Sequence, residues 1–219
     1  MKTFKRLPRH IGIIPDGNRR WATSQGMQKQ EGYTHGIEPG LKLYEACLKL
    51  GIEEITFYGF TMDNVKRPSL QARAFQKACI DSVRELQNRD ADLLVIGNAA
   101  SKVFPEELKS YTTRTRFGKG KMKVNFLVNY GWDWDLNQAL QNEETLISGN
   151  VANHIASKDI SRIDLILRWG GQRRLSGFLP IQSVYSDFYV LDEYWPNYSE
   201  EHLFEALRWY QDQDITLGG

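Results

Sequence analysis

With 219 residues, 41% of them hydrophobic and 25% charged, the chain has the composition of a globular protein with a substantial core, which excludes disordered, fibrous and membrane-embedded classes. A formal net charge of +1, from 28 Lys and Arg against 27 Asp and Glu, supplies no overall field of the kind that nucleic-acid binders carry. Any binding of anions has to come from local clusters.

Short apolar runs alternate with segments of helical period, the pattern of an α/β domain built on a mainly parallel sheet flanked by helices. The expected strands run from His10 to Pro15, Ile55 to Phe60, Leu93 to Gly97, Val124 to Asn129, Leu165 to Trp169 and Phe188 to Leu191. Ile37, Leu41, Tyr44 and Leu48 fall at helical spacing, and Gly51 supplies a stop. A second helix is expected from Leu70 to Asn88, with Phe75, Cys79, Val83 and Leu86 as its apolar stripe. Further helices are expected from Leu136 to Glu144 and from Glu200 to Gln211. No repeat, linker or break in composition marks a second domain, so residues 1–219 read as one.

Cys47 and Cys79 lie in apolar helical patterns and read as reduced core thiols rather than a disulfide or a metal site. The start, Met1 to Arg9, is basic but has no apolar stretch of the secretory type, and no run is long enough to span a membrane. The expected location is the cytoplasm. His35, His154 and His202 are isolated and read as surface or hydrogen-bonded residues, while Trp21, Trp195 and Trp209 read as packing groups.

Two clusters carry chemistry. In the first, an apolar strand runs directly into Pro15-Asp16-Gly17-Asn18-Arg19-Arg20 and then into an expected helix. Backbone N–H groups of such a turn, beside a helix N-terminus, favour phosphate, and Asp16 is a carboxylate suited to holding Mg²⁺ beside it. A plain turn with solvated arginines is the competing account. In the second cluster, the strand ending at Arg168 leads into Trp169-Gly170-Gly171-Gln172-Arg173-Arg174-Leu175-Ser176. Guanidinium groups bind phosphate oxygens in pairs, and the two glycines let separated arginines converge. Surface ion pairing is the bland alternative here. Both clusters follow strands of one sheet and should open on its carboxyl edge, where α/β proteins bind ligands, so two anionic substrates or one large one are implied.

With these residues in view, the chain resembles the cis-prenyltransferase family, of the undecaprenyl diphosphate synthase fold, over its whole length. The matching blocks are His10 with Asp16 to Ala22, Phe60 to Pro68, Asn129-Tyr130-Gly131, Arg168 to Ser176, Tyr185 to Tyr189 and Trp195-Pro196. The resemblance implies that Asp16 holds Mg²⁺ and assists loss of diphosphate, with Gly17, Asn18, Arg19, Arg20 and Arg67 cradling an allylic diphosphate. It implies that Arg168, Arg174 and Ser176 hold the second diphosphate, that Asn64 lies near the reacting carbons, and that Asp187, in place of a glutamate, helps the metal. Lys29 and Tyr33 stand at two further first-site positions, in place of an arginine and a histidine. A homodimer is implied too, with the stretch from Phe178 to Tyr189 as the candidate interface.

Other departures are Val65 for tryptophan, Trp132-Asp133 for Gly-Arg, Trp169 for threonine and Gln172 for glutamate. Asp214 to Gly219 also lacks an arginine that in the family reaches the partner's site. The segment from Pro68 to Gly97 is short, which implies a short product. Trp132 and Trp169 are expected to narrow the cavity and to face a carbocation. Together these changes resemble the branch that joins prenyl groups head to middle, of the lavandulyl and cyclolavandulyl type. Both substrates would then be dimethylallyl diphosphate, with the leaving diphosphate as base. The rivals are head-to-tail synthesis using isopentenyl diphosphate, and a non-catalytic subunit of an active homologue.

Overall fold

The computed structural model describes residues 4–141 and 149–214. Its frame is a sheet of β1 (His10–Ile14), β2 (Glu54–Tyr58), β3 (Ala91–Ile96), β4 (Thr115–Arg116), β5 (Met122–Leu127), β6 (Leu165–Arg168) and β7 (Asp187–Val190). The strand order is β4-β3-β5-β2-β1-β6-β7, with β4 antiparallel to β3 and every other pairing parallel. All six expected strands are present. The two-residue β4 has no counterpart among them, because Thr115 and Arg116 give no apolar signal.

Around the sheet lie α1 (Asn18–Ser24), α2 (Gly32–His35), α3 (Ile37–Leu50), α4 (Ser69–Leu86), α5 (Trp132–Leu140) and α6 (Glu200–Tyr210). Gly51 ends α3 in the left-handed region at φ 78°, as its position after the apolar stripe predicts. On α4, Cys79, Val83 and Leu86 are buried, while Phe75 is half-buried at the helix's opening turns. Helix α5 begins earlier than periodicity alone suggests, directly after the extended Gly131, and the expected residues 142–144 of that helix lie outside the described ones. His202 acquires a structural role, since Ser199 and His202 cap α6 reciprocally. Among the described residues, no helix is long and apolar enough to cross a membrane.

Alternation along the strands decides which face each residue serves. Ile11, Ile13, Leu165, Leu167 and Trp169 enter the larger core, with α3 and α6 over it, whereas Ile14, Ile166, Phe178 and Leu179 form the smaller core on the other face. Phe178 and Leu179 are thus interior, and the candidate interface stretch exposes chiefly Val184 (62%) and Tyr185 (54%).

Candidate functional site

Three neighbouring strands, β2, β1 and β6, deliver the candidate residues to the carboxyl edge of the sheet. After β1 the chain turns through Gly17 at φ 100°, where a Cβ would lie 2.7 Å from Tyr194 Cδ1, so glycine alone fits under that ring. The Gly17 N–H donates to Asp16 Oδ1 at 2.6 Å, and Arg20 stands 3.5 Å from the same oxygen. At the end of β6, Arg168 is 4% exposed. Its Nη2 donates to Asp16 Oδ2 at 2.9 Å, and its Nη1 donates to Ser176 Oγ at 3.0 Å and to the Arg174 carbonyl. One guanidinium therefore joins the two sequence clusters.

The third side comes from the segment after β2, packed on α2 and α4. Arg67 Nη1 donates to the Tyr33 hydroxyl at 2.8 Å, and the Tyr33 ring stacks on Phe75 at 4.5 Å with 2° between planes. Burial, with Arg19 nearby, lowers the Arg67 pKa, while Tyr33 opposes the shift. An anion entering here relieves the cost of that desolvated charge. Burial raises the Tyr33 pKa, against the pull of Arg67 and Arg19, so the phenol is neutral and able to donate a proton in a hydrogen bond. Asn64 Oδ1 accepts from the Thr61 N–H at 3.1 Å, which leaves its N–H₂ group for a ligand.

These groups line one cleft of about 540 Å³. Asp16, Gly17, Asn18, Arg19 and Arg20 form one wall, Tyr33, Asn64 and Arg67 another, and Arg168, Arg174 and Ser176 the third. Behind it, an apolar pocket of about 60 Å³ reaches between α3 and α4 past Cys79 and Leu86 to Phe126. Cleft and pocket share Pro15, Asn18, Tyr33, Gly59 and Phe75, so they are continuous. At ~15 Å³ for each water-sized centre, the pocket takes roughly four heavy atoms.

Several expectations are corrected. Lys29 is exposed in the turn between α1 and α2 and does not line the cleft, because the chain leaves the site after Ser24 and crosses the surface. Asp187 begins β7 opposite Leu165, at the amino edge of the sheet, whereas Asp16 follows the carboxyl end of β1. The separation is about 16 Å along the strand direction alone, by the usual rise per residue, so Asp187 does not join Asp16 within one chain. It lies instead in a second cavity with Arg6, Asp164 and Tyr210, where burial raises its carboxyl pKa. Trp169 is fully buried in the larger core against Trp195, and Trp132 is 51% exposed outside the cleft, so neither narrows it. The parity of Leu165, Leu167 and Trp169 already carries that information. Sequence reasoning passed over Tyr58, Thr61 and Asp63, which line the cleft, and treated Phe75 as helix packing alone.

Among the described residues, no three His, Cys, Asp or Glu side chains converge on a metal position. Asp16, 35% exposed in its side chain, suits Mg²⁺ held by one carboxylate together with phosphate oxygens and water.

A guanidinium-lined cleft at the carboxyl edge of a parallel sheet, opening on an apolar pocket, is built to take esters with an anionic head and an apolar tail. Residues 14–218 match the family described as putative undecaprenyl diphosphate synthase, and the chain belongs to that prenyltransferase family. It is 31% identical over 97% of its length to the ditrans,polycis-undecaprenyl-diphosphate synthase of Vibrio vulnificus, (2E,6E)-farnesyl-diphosphate specific, covering 91% of that protein. It is 30% identical to an isoprenyl transferase of Leptospira interrogans, over 97% of this chain and 95% of the relative. Among solved structures, lavandulyl diphosphate synthase from Lavandula x intermedia in complex with dimethylallyl diphosphate superposes with a TM-score of 0.84 at 25% identity, covering 97% of this chain and 98% of that one. The chain is thus an enzyme of prenyl transfer with the cis-prenyltransferase fold.

Proposed function

We propose that this enzyme, acting as one domain over residues 1–219, joins two dimethylallyl diphosphates head to middle to give a ten-carbon diphosphate of the lavandulyl type. The observation that carries this reading is the pairing of a cleft wide enough for two diphosphates with an apolar pocket sized for about one five-carbon group. A growing polyprenyl chain needs a far longer apolar channel. The likeness to lavandulyl diphosphate synthase points the same way.

In this reading the first ester lies with its prenyl group past Tyr33 and Phe75 and its diphosphate against Gly17, Asn18, Arg19, Arg20 and Arg67. Arg168, Arg174 and Ser176 hold the second diphosphate. Asp16 is the residue that would hold Mg²⁺, which when bound would supply charge neutralisation for the departing diphosphate. Arg19, Arg20 and Arg67 act on the same developing charge, and because they are already ordered by Gln71, Gly170 and Tyr33, they need little rearrangement during ionisation. The C1–O bond breaks with both electrons going to diphosphate. The double bond of the second ester attacks the allylic cation, and the released diphosphate takes the proton lost from the product cation. Internal attack on that cation would close a ring instead. Asn64 offers its N–H₂ group beside the reacting carbons.

Head-to-tail condensation with isopentenyl diphosphate is the second reading, supported by the likeness to the undecaprenyl-diphosphate synthase of Vibrio vulnificus. Incubation with dimethylallyl diphosphate and Mg²⁺ alone separates the two: an irregular ten-carbon product supports the first, and strict dependence on isopentenyl diphosphate refutes it. We place the enzyme in the cytoplasm as a homodimer, with the subunit contact in the stretch from Phe178 to Tyr189, where Val184 and Tyr185 are exposed.

A further inference from the structure

The turn that presents Ser176 is held in an uncommon conformation, and a half-exposed tryptophan packs on it. Ser176 has φ 54° and Gly177 φ 80°, both left-handed. A serine stays there when its surroundings hold it. On the inner side, the Tyr58 hydroxyl donates to the Ser176 carbonyl at 2.8 Å, and Arg168 Nη1 donates to Ser176 Oγ at 3.0 Å. On the outer side lies the indole of Trp132, the first residue of α5. A Cβ on residue 177 would stand 2.7 Å from Trp132 Cδ1, 3.5 Å from Cγ and 3.6 Å from Nε1, so the ring rests where glycine leaves room.

Core burial does not account for this tryptophan, since 51% of its surface faces water while its ring edge lies against Gly177. The residue before it, Gly131, packs as closely on Met62, where a Cβ would stand 2.8 Å from Sδ. Met62 N–H donates to the Tyr130 carbonyl at 2.9 Å. The start of α5 is therefore braced between the segment carrying Asn64 and Arg67 and the turn carrying Ser176.

We propose that Trp132 is a positioning residue for the second diphosphate: its indole, seated on Gly177, fixes the left-handed turn so that Ser176 Oγ and Arg174 face the bound ester. This inference rests on the two-substrate reading given above.

The test is calorimetric titration of the full chain with inorganic diphosphate in the presence of Mg²⁺. Wild type should show two binding events, one abolished by Arg174→Ala and the other by Arg67→Ala. Trp132→Ala should weaken the Arg174-dependent event about tenfold and leave the other unchanged. Trp132→Phe, which keeps a ring over Gly177, should restore most of the affinity, and Gly177→Ala, whose methyl collides with the indole, should repeat the loss. Thermal melting should stay within a few degrees of wild type. Unchanged binding in Trp132→Ala, with both wild-type events present, overturns the inference and spares the two-site reading. Equal weakening of both events assigns Trp132 to the fold, and loss of self-association with intact binding assigns it to a subunit contact; either result overturns the proposal. A single event in wild type overturns the two-site reading and the inference together.

Discussion

Arg168 Nη2 donates to Asp16 Oδ2 at 2.9 Å across 152 residues of sequence, and Arg168 is almost wholly buried while Asp16 faces the cleft. The same guanidinium holds Ser176, so the residue proposed to hold Mg²⁺ and a residue of the proposed second diphosphate site share one rigid link. Asp16→Asn should lower kcat by at least ~10²-fold while leaving diphosphate binding measurable, because the charge near the leaving group is lost and the shape is kept. Steady-state kinetics with a direct binding assay separate these effects.

Arg168→Lys should fail to substitute. A lysine ammonium is a compact point charge without the planar fork that here reaches Asp16, Ser176 and the Arg174 carbonyl together. Binding of the second diphosphate should fall about tenfold or more, read as a rise in the corresponding Kd. Retained wild-type affinity would contradict the assigned role.

The apolar pocket should set chain length. Leu86 is 1% exposed and lines it, so Leu86→Ala should cost about 2–5 kcal/mol of stability and enlarge the space for a longer prenyl tail. Competition assays should then show geranyl diphosphate binding better relative to dimethylallyl diphosphate than in wild type.

Burial pushes the Cys79 thiol up to about 12 and raises Cys47 as well. The thiolate is the reactive form, so neither residue should label with iodoacetamide at pH 8 in the folded protein, and both should label in denaturant. Peptide mass spectrometry gives the answer directly.

At the opposite edge of the sheet, His10 is 1% exposed, with Nε2 2.8 Å from Thr56 Oγ1 and Nδ1 3.0 Å from the Ser161 carbonyl. Burial lowers its pKa, against the opposing pull of Glu54, the Ser161 and Arg162 backbone, and Asp164. Because the folded pKa lies below the unfolded value near 6.5, the unfolded chain binds more protons below about that pH. Stability should therefore fall as pH drops through about 6.5, by up to ~1.4 kcal/mol per pH unit for this group. Urea titrations between pH 7.5 and 5 should show the decline, and His10→Asn should flatten it.

Much of this molecule is legible in its sequence. Buried parallel strands announce themselves as short apolar runs, and Gly51 and the Phe75 to Leu86 stripe mark their helices because caps and periodicity are local signals. Residues at or just after the carboxyl ends of strands, such as Arg168 and Asp16, fall on one edge once the sheet is known to be parallel, since all such ends share it. Positions assigned by resemblance alone are less secure. Lys29 and Asp187 stand where the family has other residues, and their place depends on where a surface turn runs and on which end of a strand a residue occupies. The Tyr33–Phe75 stack joins α2 to α4 across 42 positions, and no local pattern announces that contact.

The central claim is best tested by a crystal structure with Mg²⁺ and dimethylallyl S-thiolodiphosphate, which ionises too slowly to react. Two molecules per chain are predicted, one headed by Arg19, Arg20 and Arg67 with its tail between Tyr33 and Phe75, the other headed by Arg168, Arg174 and Ser176. A single bound molecule, or two whose tails point to solvent rather than toward each other, would contradict the account.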